Sequence, residues 1–308
     1  MHYRKLGRSD LVVSEVGFGG WAISGEGWGP VDDETSVKAI LKAIDLGVNF
    51  FDTADVYGNG HGEEVLGKAL AQARGLGLVA TKAGLRSPSG HDFSSQHIVE
   101  AVERSLRRLH VNHIDLLQLH NQNLEALNDE ELWQTLHRLK REGWVRALGA
   151  CVKRPADAFV AIEKGADAVQ VVFNAIDQEA RCLFDAARRE NVGLIARVPL
   201  ASGFLSGKYS EDHRFAPGDF RRRWSKGLRR ETLRKGRVIG PVAEEIGASR
   251  SQAALAFVLS YNAVSVTIPG VKTPEQAEEN TASSGKAPLP EELVRFLEEA
   301  HDRGFSEE

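Results

Sequence analysis

The chain has 308 residues, 42% of them hydrophobic, and a formal net charge of -4 at pH 7. That is enough apolar material for one large α/β domain or two smaller ones, and the mild charge favours a small-molecule ligand over nucleic acid or an anionic membrane. The segment MHYRKLGRSD lacks the apolar core of a secretory signal, no apolar stretch reaches the ~20 residues that span a bilayer, and two cysteines do not indicate a disulfide framework. We therefore expect a cytoplasmic protein.

Two short extended segments begin the chain. They lie within YRKLGRSDLVVSEVGFG and are separated by a turn signal at residues 7–10. This pattern predicts a β-hairpin over residues 1–14.

A short apolar run followed by a stretch with helical periodicity then recurs along the chain. The eight apolar runs lie at residues 15–19, 48–52, 77–82, 114–120, 145–150, 168–174, 192–198 and 264–270. Helical stretches between them carry capping signals; DEELWQTLHRLKREG, for example, begins acidic and ends basic. Alternating strands and helices imply a parallel sheet. Eight such units predict a single (β/α)8 TIM barrel over residues 1–308 with the hairpin as a plug in its floor, and a doubly wound open sheet is the alternative.

Three other segments complete the chain. GFGGWA has the spacing of a dinucleotide-binding turn, but it continues into ISGEGWGP instead of a helix, so we interpret it as a coincidental glycine turn. The polar, Arg-rich segment 206–237 predicts a long surface loop with little order of its own. LPEELVRFLEEAHDRG predicts a C-terminal helix over residues 290–303, packed outside the barrel or across its mouth.

Ionisable residues end three consecutive predicted strands. The second strand ends at Asp52, with Tyr57 in the following loop, the third ends at Lys82 and the fourth at His120. Each has an ordinary structural explanation, as a loop cap, a packing aromatic, a solvated lysine or a buried imidazole. Reactive groups of (β/α)8 barrels stand at these strand ends, so their joint occurrence favours one shared site near the barrel axis.

The segments FDTADVYG, VATK and DLLQLHN, in this order and with IPGVKTPEQAEEN near the C-terminus, resemble the aldo-keto reductase family over nearly the whole chain. The resemblance implies a (β/α)8 fold with an N-terminal hairpin, and reduction of a small-molecule carbonyl by NADPH, with NADH as a possibility, without metal or flavin. It implies neither nucleic acid nor membrane as a partner and leaves the oligomeric state open. It places a catalytic tetrad on Asp52, Tyr57, Lys82 and His120.

The chemistry of these residue types agrees with that assignment. Hydride delivered to a carbonyl carbon leaves negative charge on oxygen, so a proton donor must be near. Tyr57 is the expected acid, and the ammonium of Lys82 is expected to lower its ordinary pKa of about 10. Asp52 is expected to keep Lys82 charged, and neutral His120 to donate a hydrogen bond to the substrate oxygen. Asp55 is interpreted as a loop residue.

Three further segments resemble the cofactor-binding regions of the family. In IPGVKTPEQAEEN, Thr273 and Pro274 begin a helix whose N-terminus suits a phosphate. By resemblance the cofactor-binding residues are Gly20, Trp21, Cys151, Gln170, Arg197, Pro199, Leu200, Gly203, Leu205, Gly207, Gly270, Lys272, Gln276, Glu279 and Asn280.

The chain departs from the family pattern at three of these positions. Arg197 stands where many relatives have a tyrosine that stacks on nicotinamide, and Cys151-Val152 replaces a Ser-Asn pair that contacts the carboxamide. Gln276 replaces a basic residue, so the expected preference for NADPH rests mostly on Lys272. The departures at Arg197 and at Cys151-Val152 put the rate of turnover in question.

Two other functions stay open on the sequence alone. One is a nucleotide-binding redox-sensing or regulatory subunit, as in relatives that resemble channel subunits. The other is a Schiff-base aldolase with Lys82 as nucleophile, which Asp52 disfavours because a charged lysine is a poor nucleophile. The residues expected to line the substrate pocket favour apolar or aromatic carbonyl compounds, and they are Trp21, Trp28, Phe93 and Trp224.

Overall fold

The structure is a computed structural model that describes residues 1–86 and 90–305. The strands are β1 (Tyr3–Lys5), β2 (Val12–Ser14), β3 (Phe18–Gly19), β4 (Phe50–Asp52), β5 (Leu78–Ala83), β6 (Leu85–Arg86), β7 (Gly90–His91), β8 (Ile114–His120), β9 (Val145–Cys151), β10 (Ala168–Val172), β11 (Gly193–Arg197) and β12 (Val264–Ile268). The helices are α1 (Asp33–Asp45), α2 (His61–Gln72), α3 (Ser95–Leu109), α4 (Leu124–Asn128), α5 (Glu130–Arg141), α6 (Asp157–Glu163), α7 (Phe184–Arg189), α8 (Lys226–Gly236), α9 (Ile239–Glu245), α10 (Arg250–Leu259), α11 (Pro274–Thr281) and α12 (Glu291–Asp302).

Eight of the strands form one parallel sheet, in the order β12-β11-β10-β9-β8-β5-β4-β3. Parallel bridges from Val16 to Thr267 and from Gly19 to Gly270 join its two edges. Every connection between successive strands of this sheet contains a helix. The predicted (β/α)8 barrel is therefore confirmed, and the open sheet is excluded because the edges meet.

The N-terminal hairpin fills the bottom of the barrel. β1 and β2 pair antiparallel, and the hairpin residues Leu6, Leu11 and Val13 are buried in one cluster with inward-facing residues of the barrel strands. Gly7, in the turn, has a φ of 55°, and a β-carbon there would lie 2.2 Å from the backbone nitrogen of Gly193. The turn therefore contacts the start of β11 directly, and the predicted plug is confirmed.

We call this cluster the apolar floor. It consists of Leu6, Leu11, Val13, Phe50, Ala80, Leu116, Ala147, Ala168, Ile195, Val266 and Ile268. Two residues further along four of the strands, the inward-facing positions hold buried polar side chains, which we call the polar layer: Asp52, Lys82, Gln118 and Gln170. Because side chains alternate across a strand, residues two apart share a face, and the polar layer lies directly above the floor.

The helices begin at the capping signals of the sequence. Asp32 accepts hydrogen bonds from the backbone amides of Glu34 and Thr35 at the start of α1, and Ser249 forms a capping box with Gln252 at the start of α10. The apolar faces of the helices pack on the outer side of the sheet, where most of the buried apolar residues lie. Among the residues that the structure describes, no helix combines the length and apolar character needed to cross a membrane.

The segment 206–237, predicted as a long loop, contains a helical turn at Phe220–Arg223 and the helix α8. Arg221 is only 5% exposed because its guanidinium forms an ion pair with Asp219 at 2.6 Å and lies 4.7 Å from the ring centroid of Trp28. The sequence of α8, KGLRRETLRKG, has almost no apolar residues, and so the hydrophobic periodicity that marks other helices is missing. The C-terminal helix lies at Glu291–Asp302, close to its expected bounds.

Candidate active site

The ion pair of Lys82 and Asp52 is at the centre of the polar layer. Lys82 Nζ lies 2.5 Å from Asp52 Oδ1 and donates a second hydrogen bond, of 2.8 Å, to the backbone oxygen of Thr53. Lys82 is 0% exposed and Asp52 3% exposed. Burial alone would lower the pKa of Lys82, but the Asp52 carboxylate, followed by Tyr57, raises it above its ordinary value. Lys82 therefore keeps its proton at neutral pH.

Two glutamines complete the surroundings of Asp52. Gln118 Nε2 donates to Asp52 Oδ2 at 3.1 Å, Gln170 Nε2 donates to the same oxygen at 2.8 Å, and Gln170 Nε2 also lies 3.0 Å from Gln118 Oε1. Gln118 is not among the site residues predicted from the sequence. The signal that marks it is its position two residues before His120, on the inward face of the same strand. The structure thus turns Gln170 toward Asp52, and its contact with a carboxamide stays a prediction.

Tyr57 lies beside the ammonium of Lys82. Its hydroxyl is 3.5 Å from Lys82 Nζ, which lies 5.1 Å from the centre of the Tyr57 ring. Burial raises the pKa of Tyr57 to about 12, although Lys82 acts to lower it. The expectation of a net lowering is therefore wrong, because desolvation outweighs a cation whose charge is largely balanced by Asp52.

His120, at the end of β8, faces Tyr57 edge-on, with ring centroids 5.7 Å apart. It is 4% exposed, and its Nδ1 is a buried atom without a hydrogen-bond partner in the described part of the chain. Burial first, and then Lys82 and Arg197, lower the pKa of His120 well below its ordinary value. The imidazole is therefore neutral at pH 7.

The loop that carries Tyr57 is tied to the neighbouring strand by Asp55, whose backbone N–H donates to the backbone oxygen of Lys82 at 3.1 Å. Burial, followed by repulsion from Glu63, raises the pKa of the Asp55 carboxyl to about 7. Asp55 also lines a polar cavity of about 830 Å³ between this loop and α3, to which His97 contributes as well.

Aromatic rings cover the outer side of Tyr57. Trp21 stacks on Tyr57 with ring centroids 6.0 Å apart and on Phe220 at 5.2 Å, and it meets Trp28 edge-on at 5.4 Å. Trp21 is 37% exposed, so one part of its ring faces solvent at the mouth of the barrel. A β-carbon at Gly20 would lie 2.8 Å from the backbone oxygen of Asp52, so only glycine lets this turn approach the tetrad so closely.

The other two predicted pocket residues, Trp224 and Phe93, have different surroundings. Trp224 stacks on Phe204 at 5.1 Å, and Phe93 stacks on His91 at 5.6 Å, in the segment that follows β5. Trp224 also meets Phe220 edge-on at 6.1 Å, and Phe220 stacks on Trp21. Trp224 therefore joins the aromatic group beside Tyr57, whereas Phe93 contacts His91.

Arg197 reaches across the mouth from the end of β11. Its Nη2 donates to the backbone oxygen of Val152 at 3.2 Å, just after β9, whereas its Nε is buried and has no partner among residues 1–86 and 90–305. Cys151, which is 2% exposed, has its Sγ 3.4 Å from Gln170 Oε1. Burial raises the pKa of this thiol, although Arg197 and Lys82 act to lower it, and the thiol is neutral at pH 7.

The turn after β11 has a strained backbone. Val198, Ala201 and Ser202 have φ values of 55°, 47° and 58°, in the left-handed region that residues other than glycine seldom adopt. Such strain is concentrated at functional sites in proteins. The remaining predicted cofactor residues of this segment lie in this turn or at its ends, and they are Pro199, Leu200, Gly203, Leu205 and Gly207.

Cationic groups converge near the end of β12. The Lys272 ammonium donates to the backbone oxygen of Trp28. Burial lowers the pKa of Lys272, with Arg221 and Lys208 contributing in the same direction, while Asp219 acts to raise it. A β-carbon built at Gly270 would meet the Ala22 β-carbon at 3.8 Å, an ordinary van der Waals contact.

The residues predicted on α11 have local partners. Thr273 caps the helix, and Gln276 Oε1 accepts a hydrogen bond of 2.8 Å from the Lys272 backbone nitrogen. The Glu279 carboxylate accepts hydrogen bonds from the first turn of α10, and Asn280 is 4% exposed. Gln276 thus contacts the backbone of Lys272, and Glu279 joins α11 to α10.

Comparison with known proteins gives matches over nearly the full chain. The sequence profile of the Aldo/keto reductase family matches residues 15–302. A probable voltage-gated potassium channel subunit beta of Arabidopsis thaliana is 31% identical over 315 residues, which cover 96% of this chain and 94% of that protein.

Two solved structures share the fold. The glycerol dehydrogenase of Gluconobacter oxydans aligns with a TM-score of 0.85 and 30% identity, over 98% of this chain and 95% of that one. An aldo-keto reductase of Bacillus halodurans in its holo form aligns with a TM-score of 0.82 and 26% identity, over 97% and 96% of the two chains.

Proposed function

The chain belongs to the aldo/keto reductase family and is an NAD(P)H-dependent oxidoreductase, and from this membership we propose that it reduces an aldehyde or ketone to an alcohol with NADPH, with Tyr57 as the proton donor. One observation carries the proposal: the buried ammonium of Lys82 contacts the Asp52 carboxylate at 2.5 Å and the Tyr57 hydroxyl at 3.5 Å. A buried ion pair is a poor way to stabilise a fold, so its presence beside a phenol favours a chemical role.

The raised pKa of Tyr57 suits a donor in reduction. A tyrosine with a pKa of about 12 is fully protonated at neutral pH and holds its proton until a stronger base forms nearby. The alkoxide that follows hydride transfer to a carbonyl is such a base. As the proton leaves Tyr57, the Lys82 ammonium stabilises the phenolate, and Asp52 holds that ammonium beside the Tyr57 oxygen.

His120 supplies the second contact to the reacting oxygen. Because it is neutral, it donates one hydrogen bond without holding a competing positive charge, and its edge-on packing against Tyr57 directs both groups to the same side of the mouth. Trp21 and Trp28 then form the outer wall for the substrate. This wall favours a carbonyl compound with an apolar or aromatic substituent.

The surrounding residues fit a nicotinamide dinucleotide, which supplies the hydride when bound. The unpartnered Nε of Arg197 lies at the barrel mouth on the side of the tetrad. The strained turn comes directly after Arg197 in the chain and lies along the same mouth. Lys272, with Lys208 and Arg221 near it, provides positive charge beside α11 for a phosphate. We propose that Arg197, the turn at residues 199–207, Gly270 and the α11 residues hold the cofactor, and that Lys272 gives the preference for NADPH.

Two measurements test the proposal. Titration with NADPH and NADH, followed by quenching of tryptophan fluorescence, is expected to show binding of both with higher affinity for NADPH. Replacement of Tyr57 by Phe is then expected to reduce kcat for an aromatic aldehyde by about 10²–10⁴-fold, because the general acid is lost, while the dissociation constant for NADPH stays the same.

Tyr261 offers a matched control. Like Tyr57 it is half-buried, but its hydroxyl donates to Glu298 on the outer side of the barrel. Tyr261→Phe removes the same atom away from the mouth and is expected to leave kcat unchanged. Full activity in Tyr57→Phe would contradict the proposal.

A second candidate function is a redox-sensing regulatory subunit, and the similarity to a potassium channel subunit beta of Arabidopsis thaliana favours it. A sensor and a reductase differ in the rate of turnover after the first reaction cycle. Rapid mixing with aldehyde separates the two, since a single burst equal to the enzyme concentration, followed by very slow release of oxidised cofactor, indicates a sensor, whereas linear turnover indicates a reductase.

The Schiff-base mechanism is disfavoured by the structure around Lys82. A lysine nucleophile must lose its proton, but Asp52 and Tyr57 raise the pKa of Lys82. Trapping with borohydride is expected to give no covalent adduct at this residue.

A further inference from the structure

The polar layer contains two residues to which the proposed reaction assigns no role in proton transfer, Gln118 and Gln170. They are 0% and 2% exposed, in a part of a (β/α)8 barrel that is ordinarily filled with apolar side chains. A buried amide stays in such a place only when its donors and acceptor are satisfied. The question is what these two amides do for the tetrad.

We propose that Gln118, held in turn by Gln170, is a positioning residue that fixes the Asp52 carboxylate and thereby directs the Lys82 ammonium at Tyr57. The inference rests on the proposed reductase function for its kinetic consequences. It is independent of that function for its structural ones.

The hydrogen bonds around Asp52 fix the orientation of its carboxylate and of the Lys82 ammonium. Asp52 Oδ1 accepts from Lys82, and Asp52 Oδ2 accepts from both glutamine amides, at 3.1 and 2.8 Å. Lys82 donates a second hydrogen bond to the backbone oxygen of Thr53. An ammonium has three donors, so the third is the one directed at the Tyr57 hydroxyl.

The orientation of Gln118 is itself fixed. Its Oε1 accepts from Gln170 Nε2 at 3.0 Å, and the Oε1 of Gln170 faces the Cys151 thiol at 3.4 Å. Gly149, on the neighbouring strand, makes room for it, because a β-carbon there would lie 3.1 Å from Gln118 Cγ. A flipped amide at residue 118 would point oxygen at the oxygens of Asp52, so the network allows one orientation.

The two amides also act electrostatically. Hydrogen bonds to the charged form of a carboxylate stabilise that form, and here they offset part of the negative charge of Asp52. Without them Asp52 draws Lys82 more strongly and exerts more negative potential on Tyr57, which disfavours the phenolate that remains after proton transfer. Loss of Gln118 is therefore expected to lower kcat and to leave KM for the cofactor unchanged.

The first test compares two buried glutamines. Gln118→Met removes the amide and nearly keeps the volume, and kcat is expected to fall roughly 10- to 100-fold, the range for a catalytic group displaced by about an ångström. Gln178 is 1% exposed and bonds to the backbone oxygens of Ala175 and Leu297, outside the polar layer. Gln178→Met is the matched control, expected to lower thermal stability and to keep kcat. An equal loss of kcat in both variants, or none in Gln118→Met, would overturn the proposal.

The second test distinguishes positioning from packing and does not depend on the folding of Gln118→Met. Gln118→Glu introduces a carboxyl of the same shape. When protonated it can donate to Asp52 Oδ2 and accept from Gln170, and when ionised it repels Asp52. Activity is therefore expected to be near the wild-type value at low pH and to fall as the pH rises. A profile parallel to that of the wild type would overturn the proposal.

The charged and titratable groups around residue 118 determine where this fall occurs. They are Asp52, Lys82, Tyr57, His120, Cys151 and Arg197. Because the ion pair of Lys82 and Asp52 is close to neutral overall, burial dominates and raises the pKa of the introduced carboxyl above the ordinary glutamate value of about 4.3. The contribution of that carboxyl to stability is present below its unfolded pKa and is lost as the pH rises through its folded pKa.

An unfolding experiment separates failure of this inference from failure of the reductase proposal. Urea unfolding of Gln118→Glu relative to wild type is expected to show decreasing stability with rising pH. Adding Asp52→Asn is expected to weaken or reverse that dependence, because it removes the repulsion by Asp52 and leaves the Lys82 ammonium to stabilise the ionised carboxyl against the effect of burial. If no carbonyl compound is reduced but this coupling is observed, the proposed function fails and the positioning of Asp52 stands. If turnover is observed without the coupling, the inference about Gln118 fails alone.

Discussion

The apolar floor and the polar layer are both buried inside the same barrel, yet they are built by different rules. The floor contains only aliphatic residues and one phenylalanine, and the hairpin side chains Leu6, Leu11 and Val13 close it from below. The polar layer holds an ammonium, a carboxylate and two amides that saturate one another with hydrogen bonds. A floor residue can be exchanged for another of similar volume, whereas a residue of the polar layer is defined by its partners.

The largest effect is expected from breaking the ion pair. Lys82→Met leaves the Asp52 carboxylate buried and unpaired, so we expect a loss of about 3–5 kcal/mol in unfolding free energy, together with a fall in kcat of about 10²–10⁴-fold. Adding Asp52→Asn removes the unpaired charge and is expected to restore most of the stability but none of the activity. Urea unfolding and steady-state kinetics measure both, and activity that returned together with stability would contradict a chemical role for the pair.

The floor is expected to respond in the opposite way. Leu11 is 2% exposed, and Leu11→Ala is expected to cost about 2–5 kcal/mol of unfolding free energy through the cavity it leaves. The folded fraction is expected to keep the wild-type kcat, because the tetrad residues lie on β4, β5, β8 and the loop after β4, and not on the hairpin. A large fall in kcat of the folded protein would show that the hairpin also positions the polar layer.

A smaller effect is expected at the far end of the mouth. Lys272→Gln removes a positive charge beside α11 and is expected to weaken NADPH binding by about tenfold or more, the loss of one charged hydrogen bond, while NADH binding stays the same. Fluorescence titration with each cofactor measures this. Equal weakening of both would show that Lys272 does not select the 2'-phosphate.

The smallest effect is the pH dependence of reduction. The pKa of His120 lies well below its ordinary value, and Tyr57 keeps its proton up to about 12, so kcat/KM for reduction is expected to be flat between about pH 6 and 9. Asp55, with a pKa of about 7, titrates in this range, so Asp55→Asn is the control for any change that appears. A change that survives this control and is lost in His120→Gln would show that His120 titrates at its ordinary pKa.

The two regions also differ in how much of them the sequence predicts. The apolar runs and turn residues predict the hairpin and the strand that ends at His120. The strand ends predict the positions of the tetrad, because alternation along a strand determines which residues face inward. Gln118 was missed because its one signal, a position two residues before His120 on the same face of β8, does not reveal the partners that Asp52 and Gln170 provide from other strands. The direction of the pKa shift of Tyr57 was predicted wrongly, since desolvation depends on packing that a sequence does not show. The helix α8 was missed because it has no apolar stripe.

Transfer of deuterium tests the central claim most directly. The protein is mixed with an aromatic aldehyde and NADPH that carries deuterium at the transferable position, and the alcohol product is analysed by mass spectrometry for wild type, Tyr57→Phe and Tyr261→Phe. We predict one deuterium in the alcohol for wild type and Tyr261→Phe, and almost no product for Tyr57→Phe although it still quenches on binding NADPH. Labelled alcohol formed by Tyr57→Phe at the wild-type rate would contradict the role of the phenol beside Lys82.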